Sequence, residues 1–502
     1  MTNLKYFISF LFLCIFLLKN NIAQRYILNE NFYAIYDDII LFQNIDASKK
    51  IETEIKNNTD NLLIYYLKSK LLFMEAIIEE TNNSYDNYHN SFNIIESALK
   101  KGNKNSPYYG YCIGNLYLQR GVIGIKSGEY IRASMDLRRG YKYYENNAKK
   151  YPNFIFQYNE LGLLNSFIGS IPNNYTWLVE LIGFKGSLND GIKQIINVLQ
   201  ISLLRKEFEF LQLESLLYLS YVYKSLNFDN TELNSIIKYS KIISDKYKSS
   251  PLYIFIVSSI HEKLKNNSGA LDVLNSYYKN KYQQNFYYLD YIMGNLLLHN
   301  LDTTALYYFN RYVNQFNGEN YIKSSYLKIA WIYLLKDDNK KYNYYLNKVL
   351  SNGNNIVEAD KQAMNSATLN IVTDKYLLKA RLLFDGGYYD KAIKVLSEKD
   401  ERYYCKSFSL CLEYKYRLAR IYDLSNNFNQ AIQYYKEVIN IGRLEKSYFA
   451  ANSALMLGHI YENQKKYDDA KKYYNMCLEL PLEEYRNSIQ QKAKAGLERI
   501  GY

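Results

Sequence analysis

Three 17-residue stretches near the end of the chain align without a gap: ARLLFDGGYYDKAIKVL at residues 380–396, ARIYDLSNNFNQAIQYY at 419–435 and GHIYENQKKYDDAKKYY at 458–474. Their common marker, Ala392, Ala431 and Ala470, recurs every 39 residues. Twelve residues before each marker stands a small residue, Ala380, Ala419 or Gly458. Nine before it come Leu383, Tyr422 and Tyr461, and three before it Tyr389, Phe428 and Tyr467. Three and four after it follow Val395 and Leu396, Tyr434 and Tyr435, Tyr473 and Tyr474. Small residues on two antiparallel helices let the axes approach closely, as ridges-into-grooves packing requires. The apolar residues after the marker extend the same helix face. Between the two helices lie Asp385-Gly386-Gly387, Ser425-Asn426-Asn427 and Asn463-Gln464-Lys465-Lys466. A Gly or Asn there can take the left-handed conformation that ends a helix.

The same ruler finds weaker copies upstream. Ala133 has Tyr130 three before it, Gly121 twelve before it and Lys126-Ser127-Gly128-Glu129 as its turn. Ala270 has Ser258 at minus twelve, and Ala305 has Met293 where a small residue is expected. Ala330 and Tyr333 fit a first helix whose partner carries Tyr342, Tyr345 and Leu346. Intervals of about 35–39 residues are close to the tetratricopeptide length of about 34. This ladder of small, aromatic and alanine positions resembles the tetratricopeptide consensus. The fold expected is therefore all-α, a tetratricopeptide-like α-solenoid, a right-handed superhelix of antiparallel helix pairs.

Composition agrees. Of 502 residues only 22 are Gly and 5 Pro, too few turn formers for a many-stranded sheet protein. A repeat array escapes the usual limit on domain size, because each repeat contacts only its neighbours. The formal charge of +12 is spread along the chain with acidic residues between, and Lys149-Lys150 and Lys471-Lys472 are short. A nucleic-acid binder gathers such charge into a stripe, so no nucleic-acid partner is expected.

Phe7 to Leu18 is an unbroken apolar run after a single lysine, and Asn20-Asn21-Ile22-Ala23 leads into Gln24. That is the layout of a signal peptide. The run is too short to span a bilayer as a helix of ~20 residues. Leu13 is too large for the residue before a lipidated Cys14. We expect cleavage after Ala23, export to the periplasm or the outer membrane, and no transmembrane span in the mature chain. Residues 24–110 then hold degenerate helical repeats, 111–200 a distinctive helical segment with the first clear repeat, 201–360 divergent repeats and 361–502 the C-terminal repeats. Cys112, Cys405, Cys411 and Cys477 are too few for a disulfide framework in a chain of this size. On a continuous helix Cys405 and Cys411 would be too far apart to bridge, so free buried thiols are expected.

The segment after the first repeat departs from the ladder. An apolar helix through Leu161-Gly162-Leu163-Leu164-Asn165 is interrupted at Pro172, and a second begins near Trp177. Gly183 and Gly186 then form a glycine-spaced turn before Gly191. The order carried by Gly162, Asn165, Ser170, Pro172, Leu178, Glu180, Gly183, Phe184, Gly186 and Gly191 resembles the signature of the inclusion-body clearance / tetratricopeptide repeat protein 39 family. Gly128-Glu129-Tyr130-Ile131-Arg132-Ala133 is similar to that family's first repeat. The specific match covers roughly Gly121 to Leu199. The resemblance implies an all-helical repeat fold, no known catalysis, and roles near lipid droplets or in clearance of aggregated protein. In the simplest reading the segment is a helix hairpin that fills the solenoid. In the functional reading Tyr175, Trp177 and Phe184 line an apolar groove for a peptide or an acyl chain.

Chemistry is sparse. His89, His261, His299 and His459 are scattered without metal-ligand spacing, and no catalytic, metal or cofactor site is expected. Gly121, Gly124 and Gly128 lack the strand and the Gly-Lys-Ser/Thr of a phosphate loop. Asp37-Asp38, Glu79-Glu80 and Asp468-Asp469 read as solvated helix ends. The 57 tyrosines fall mostly on the packing ladder, and others could anchor a bound peptide. The residues expected to pack the repeats are Gly121, Ala133, Ala330, Ala380, Ala392, Ala419, Ala431, Gly458 and Ala470. The function expected is an exported, non-enzymatic scaffold that binds a protein or peptide partner. The alternative is a carrier of lipid or another hydrophobic ligand that uses a pocket within residues 161–184.

Overall fold

A computed structural model of the full chain describes residues 26–57, 60–169, 186–226, 228, 230–279, 286–368, 374–483 and 485–501. Among these residues the only β-structure is an isolated bridge at Asn61. The helices are α1 (Glu30–Ile40), α2 (Asn44–Asn57), α3 (Leu63–Glu79), α4 (Asn82–Leu99), α5 (Pro107–Lys126), α6 (Tyr130–Lys150), α7 (Tyr158–Gly169) and α8 (Leu188–Leu204). Next come α9 (Gln212–Ser225), α10 (Asn230–Ile242), α11 (Pro251–Lys263), α12 (Asn267–Lys279), α13 (Tyr288–His299), α14 (Ala305–Gln315), α15 (Ile322–Leu335) and α16 (Asn339–Ser351). The rest are α17 (Glu358–Thr368), α18 (Lys375–Asp385), α19 (Tyr389–Leu396), α20 (Glu401–Tyr404), α21 (Phe408–Leu424), α22 (Phe428–Gly442), α23 (Tyr448–Asn463), α24 (Tyr467–Glu479) and α25 (Arg486–Arg499). The fold is an all-α tetratricopeptide-like solenoid. It has two compact units. One comprises Met1–Leu264, Ser268–Leu289 and Asn314–Glu319, and the other Lys265–Asn267, Asp290–Val313 and Asn320–Tyr502.

The repeat register is carried by the backbone as much as by side chains. Gly387, Asn426 and Lys465, each five residues before a marker alanine, are left-handed. So are Gly128, Lys265 and Asp337, five before Ala133, Ala270 and Tyr342. The next amide closes each turn by donating to the residue at minus nine: Asp338 N to Tyr333 O at 2.9 Å, Tyr388 N to Leu383 O at 2.8 Å, Asn427 N to Tyr422 O at 2.8 Å and Lys466 N to Tyr461 O at 2.9 Å. This is the six-to-one bond of a Schellman ending. The same mark reveals two further repeats in the region expected to be degenerate. Phe42 is left-handed five before buried Ala47, and Glu80 five before buried Tyr85.

Between paired helices the small residues lie where a side chain would not fit. Ala380, Ala392, Ala419, Ala431, Ala470, Ala133 and Ala330 are all fully or almost fully buried. A Cβ on Gly458 would overlap the ring of Tyr474, and one on Gly121 would lie 2.8 Å from Leu137. The glycines of α5 thus serve close packing: a Cβ on Gly114 would lie 3.0 Å from the Tyr144 ring and one on Gly124 3.1 Å from Ala133 Cβ. In the Ala305 repeat the small residue is Gly294, not Met293; a Cβ there would be 2.7 Å from Phe309. The spacing is eleven rather than twelve, because the connection reaches Ala305 in one residue fewer. At minus nine and plus three, tyrosine rings stack across the pair: Tyr333 on Tyr345 at 5.4 Å, Tyr422 on Tyr434 at 5.8 Å and Tyr461 on Tyr473 at 5.5 Å.

Two further expectations are corrected. Cys405 and Cys411 form a disulfide, with Cα atoms 4.2 Å apart. Helix α20 ends at Tyr404 and α21 starts anew after the N-cap Ser407, so the two cysteines are not on one continuous helix. Cys112 and Cys477 are free and buried. Asp38 and Glu80 are buried rather than solvated, and are paired with Lys50 and Lys126 respectively, whereas Asp468 and Asp469 are exposed.

The first unit also encloses a charged cluster. Lys70 pairs with Glu214, whose carboxylate accepts from Tyr36 OH at 2.5 Å and Tyr218 OH at 3.1 Å. Nearby, Glu160 accepts from Asn115 Nδ2 at 2.9 Å through one oxygen, and its other oxygen is buried without a hydrogen-bond partner. Burial first, and then the charge of Glu214, push the Glu160 carboxyl up to about 8; Lys70 and Asn115 oppose the shift.

Candidate partner-binding face

In the second unit the first helices of successive repeats, α15, α18, α21 and α23, neighbour one another, with α25 beside α23. The position after the small packing residue holds Asn295 after Gly294 on α13, Trp331 after Ala330, Arg381 after Ala380, Arg420 after Ala419 and His459 after Gly458. At Arg381 and Arg420 this side chain reaches a neighbouring first helix, over Trp331 and against Met456 respectively, whereas His459 meets Tyr474 of its own pair. One turn earlier on the same stripe stand Lys328, Arg417 and Met456.

At Trp331 the row opens into a cavity of about 200 Å³, lined by Asn295, His299, Ser324, Lys328, Trp331, Gln362, Ser366, Arg381 and Asp385 with four apolar side chains and Ala359. The Arg381 guanidinium lies over the Trp331 ring at 5.3 Å. Lys328 Nζ is held by Tyr291 OH at 2.6 Å and Ser324 Oγ at 2.7 Å, and lies 4.5 Å from the centroid of the Tyr291 ring. The Asp385 carboxyl stays below the usual carboxylate range. Burial works against this, but Lys265, Arg381, His299 and Arg417 outweigh it. Lys265 Nζ is the nearest partner, at 3.3 Å. Amide side chains, a stacked indole and fixed cations can bind an extended peptide through its backbone and side chains together. Beyond the cavity the row continues through Arg417, which forms two bonds to Glu413 Oε1, and Arg420, whose Nη1 lies 3.4 Å from Met456 Sδ.

The sequence reading did not find these residues. Its candidate groove, Tyr175, Trp177 and Phe184, lies outside the described residues, as do Ser170, Pro172, Leu178, Glu180 and Gly183 of the motif. The described part of that motif packs helices. A Cβ on Gly162 would meet Gly191 O at 2.7 Å, and Asn165 Nδ2 donates to Gln194 Oε1 at 3.0 Å, joining α7 to α8. Among the described residues no group of three His, Cys, Asp or Glu side chains is placed to hold a metal ion. No helix among them is long and apolar enough to cross a membrane.

Comparison with known proteins agrees with this architecture. Residues 412–441 and 451–483 match the tetratricopeptide repeat. Residues 159–379, just under half of the chain, match the family Iml2/Tetratricopeptide repeat protein 39. The chain is a tetratricopeptide-repeat protein that resembles this family. The match begins later and runs much further toward the C-terminus than the motif suggested; it takes in Lys328 and Trp331 and ends at Lys379, before Arg381. No curated protein matches. Among solved structures, the TPR domain of P58(IPK) is similar at 13% identity over 87% of this chain and 97% of that one, with a TM-score of 0.22.

Proposed function

We propose that this tetratricopeptide-repeat protein is an exported, non-catalytic scaffold that holds an extended segment of a partner protein along the first helices of its second unit. The repeat architecture is of a kind that serves protein interaction. The observation that carries the location of the site is the ladder Asn295, Trp331, Arg381, Arg420 and His459. One register position, next to the packing residue, is filled by side chains suited to recognition and opens into a polar cavity at Trp331. A preformed groove of this kind limits the ordering cost on the scaffold side. Export is supported by the apolar run Phe7 to Leu18 and by the Cys405–Cys411 disulfide, a bond that persists in oxidising compartments.

A photo-crosslinking residue at Gln362, introduced into the full chain in its native cells, tests the site. The expected outcome is a discrete crosslinked protein that disappears in a Trp331→Ala background. Crosslinks that persist unchanged in that background would move the site away from this row.

A further inference from the structure

Large apolar side chains left in solvent are scattered singly or in pairs over the described residues, except where α5 turns into α6. There Ile125 is 43% exposed, Tyr130 62%, Ile131 82% and Met135 52%. These four fall within residues 125–135, and no other described stretch of that length holds more than two such side chains. The turn between them projects: Ser127, Gly128 and Glu129 are exposed, and a Cβ added to Gly128 would meet nothing within 4 Å. A lone exposed apolar residue needs no explanation, whereas a contiguous group of them marks a contact surface.

Charge completes the face. Ile131, Met135, Arg138 and Lys142 follow one another at spacings of four, three and four, so they lie along one stripe of α6, and all four are exposed. Other cations of the helix are tied to acids of their own: Arg132 to Glu129 at 3.4 Å and Lys149 to Glu145 at 3.1 Å. The acid nearest the middle of the helix, Asp136, is buried and held by Arg120 of α5. Arg138 and Lys142 form no ion pair among the described residues. An apolar end and a basic end that no acid neutralises thus share one exposed face.

We infer that this face of α6 docks the protein on an anionic phospholipid surface, with Ile131 and Met135 sunk at the headgroup boundary and Arg138 and Lys142 on the phosphates. A helix lying in a membrane interface binds through its buried apolar area and its attraction to anionic lipid together. The long stems of Arg and Lys let their charges stay at the phosphates while apolar neighbours on the same stripe go deeper. Tyr130, beside them, carries a ring of the kind that settles at the interface. Shape and charge select this occupant. A protein partner anchors side chains in packed pockets, but these side chains stand out from a turn, and a fluid surface closes around them. A second copy would set Arg138 and Lys142 against their own counterparts. The docking face gives the proposed scaffold a location and does not depend on its partner row.

The test is flotation of the protein, purified from its native cells, with large unilamellar vesicles. Phosphatidylcholine vesicles with about one third phosphatidylglycerol should carry it upward, pure phosphatidylcholine far less, and rising salt should release it. Ile131→Ser with Met135→Ser, and separately Arg138→Gln with Lys142→Gln, should each lower the bound fraction's partition coefficient about tenfold or more. Both pairs are exposed, so thermal unfolding should match the parent. Arg138→Lys with Lys142→Arg should stay within about twofold of it, because the charge is kept. Ile242→Ser, at an exposed isoleucine of α10, is the control and should float as the parent does. Every variant keeps the N-terminal apolar run, so differences among them report on α6. Failure of the parent to float with the anionic vesicles, or equal flotation of either double variant, overturns the docking face. Equal flotation with neutral vesicles overturns the assignment to anionic lipid. A dimer in sedimentation that Ile131→Ser with Met135→Ser makes monomeric would give the face to a second copy. A discrete protein crosslinked through Ser134 without vesicle binding would give it to a protein partner.

Discussion

Gly458 leaves the space that the ring of Tyr474 fills, and the Tyr474 hydroxyl then reaches His459 Nδ1 at 3.0 Å and Glu462 on the helix that the glycine belongs to. A glycine, a tyrosine and a carboxylate thereby lock α23 to α24. Gly458→Leu must push the ring out and part the helices, an overpacking cost of about 1–3 kcal/mol. Because repeats couple mainly to their neighbours, the loss should appear in thermal unfolding as weakening of the C-terminal repeats. An unchanged unfolding curve would mean that the register is wrong.

The left-handed turn makes a second expectation. Gly387 has a φ of 80°, and a Cβ there would run into the carbonyl oxygen of Lys265. Gly387→Ala combines backbone strain of about 1–2 kcal/mol with that collision. It should destabilise more than Asn426→Ala at the equivalent turn, where the native residue already carries a Cβ at φ 59°. Chemical denaturation of the two variants side by side gives the order directly.

These two turns also show what could be read in the sequence. The C-terminal register was legible because its packing positions are Ala or Gly and two of its three left-handed turn positions, Gly387 and Asn426, are Gly or Asn. Upstream of Gly128 the left-handed turn residues are Phe42 and Glu80, held by the bonding of the turn rather than by intrinsic preference, so nothing local announced them. The Ala305 repeat was misread by one residue because a shortened connection shifts only one of its helices. Lys70, Glu160 and Glu214 look like surface charges until the fold buries them. The break between Cys405 and Cys411 contains neither Gly nor Pro. The row proposed for partner binding did have a signal: Trp331, Arg381, Arg420 and His459 follow Ala330, Ala380, Ala419 and Gly458 by one residue.

The charged cluster of the first unit predicts a pH dependence. Two carboxyls, Glu160 and Glu214, share one ammonium, Lys70, inside the protein, so one carboxyl retains a proton near neutrality. Glu160 is raised from its ordinary value to about 8. A carboxyl raised on folding contributes stability that is fully present below its unfolded pKa and is lost as pH rises through its folded pKa. Glu160→Gln keeps the acceptor for Asn115 and removes the titration. The variant should match the parent near pH 5 and exceed it at pH 9, by on the order of 1–3 kcal/mol. Thermal unfolding across that range checks it, and a constant difference at all pH values would assign the buried proton elsewhere.

The disulfide links the fold to the proposed compartment. Cys405 is exposed at the end of α20, and Cys411 lies in the first turn of α21. The bridge fixes a short connection that also holds Tyr404, fully buried and stacked on Tyr414 at 4.2 Å. Closing so small a loop restricts the unfolded chain by about 2 kcal/mol. Cys405→Ser with Cys411→Ser should lower stability by about that amount under oxidising conditions and leave reduced protein unchanged. The proposed export makes a second demand, that protein taken from its native cells carries the bond. Mass spectrometry after alkylation without reductant should then find Cys405 and Cys411 unlabelled and joined. Alkylation of both cysteines in freshly isolated protein would place the chain in a reducing compartment and remove the structural support for export, while leaving the repeat fold as it is.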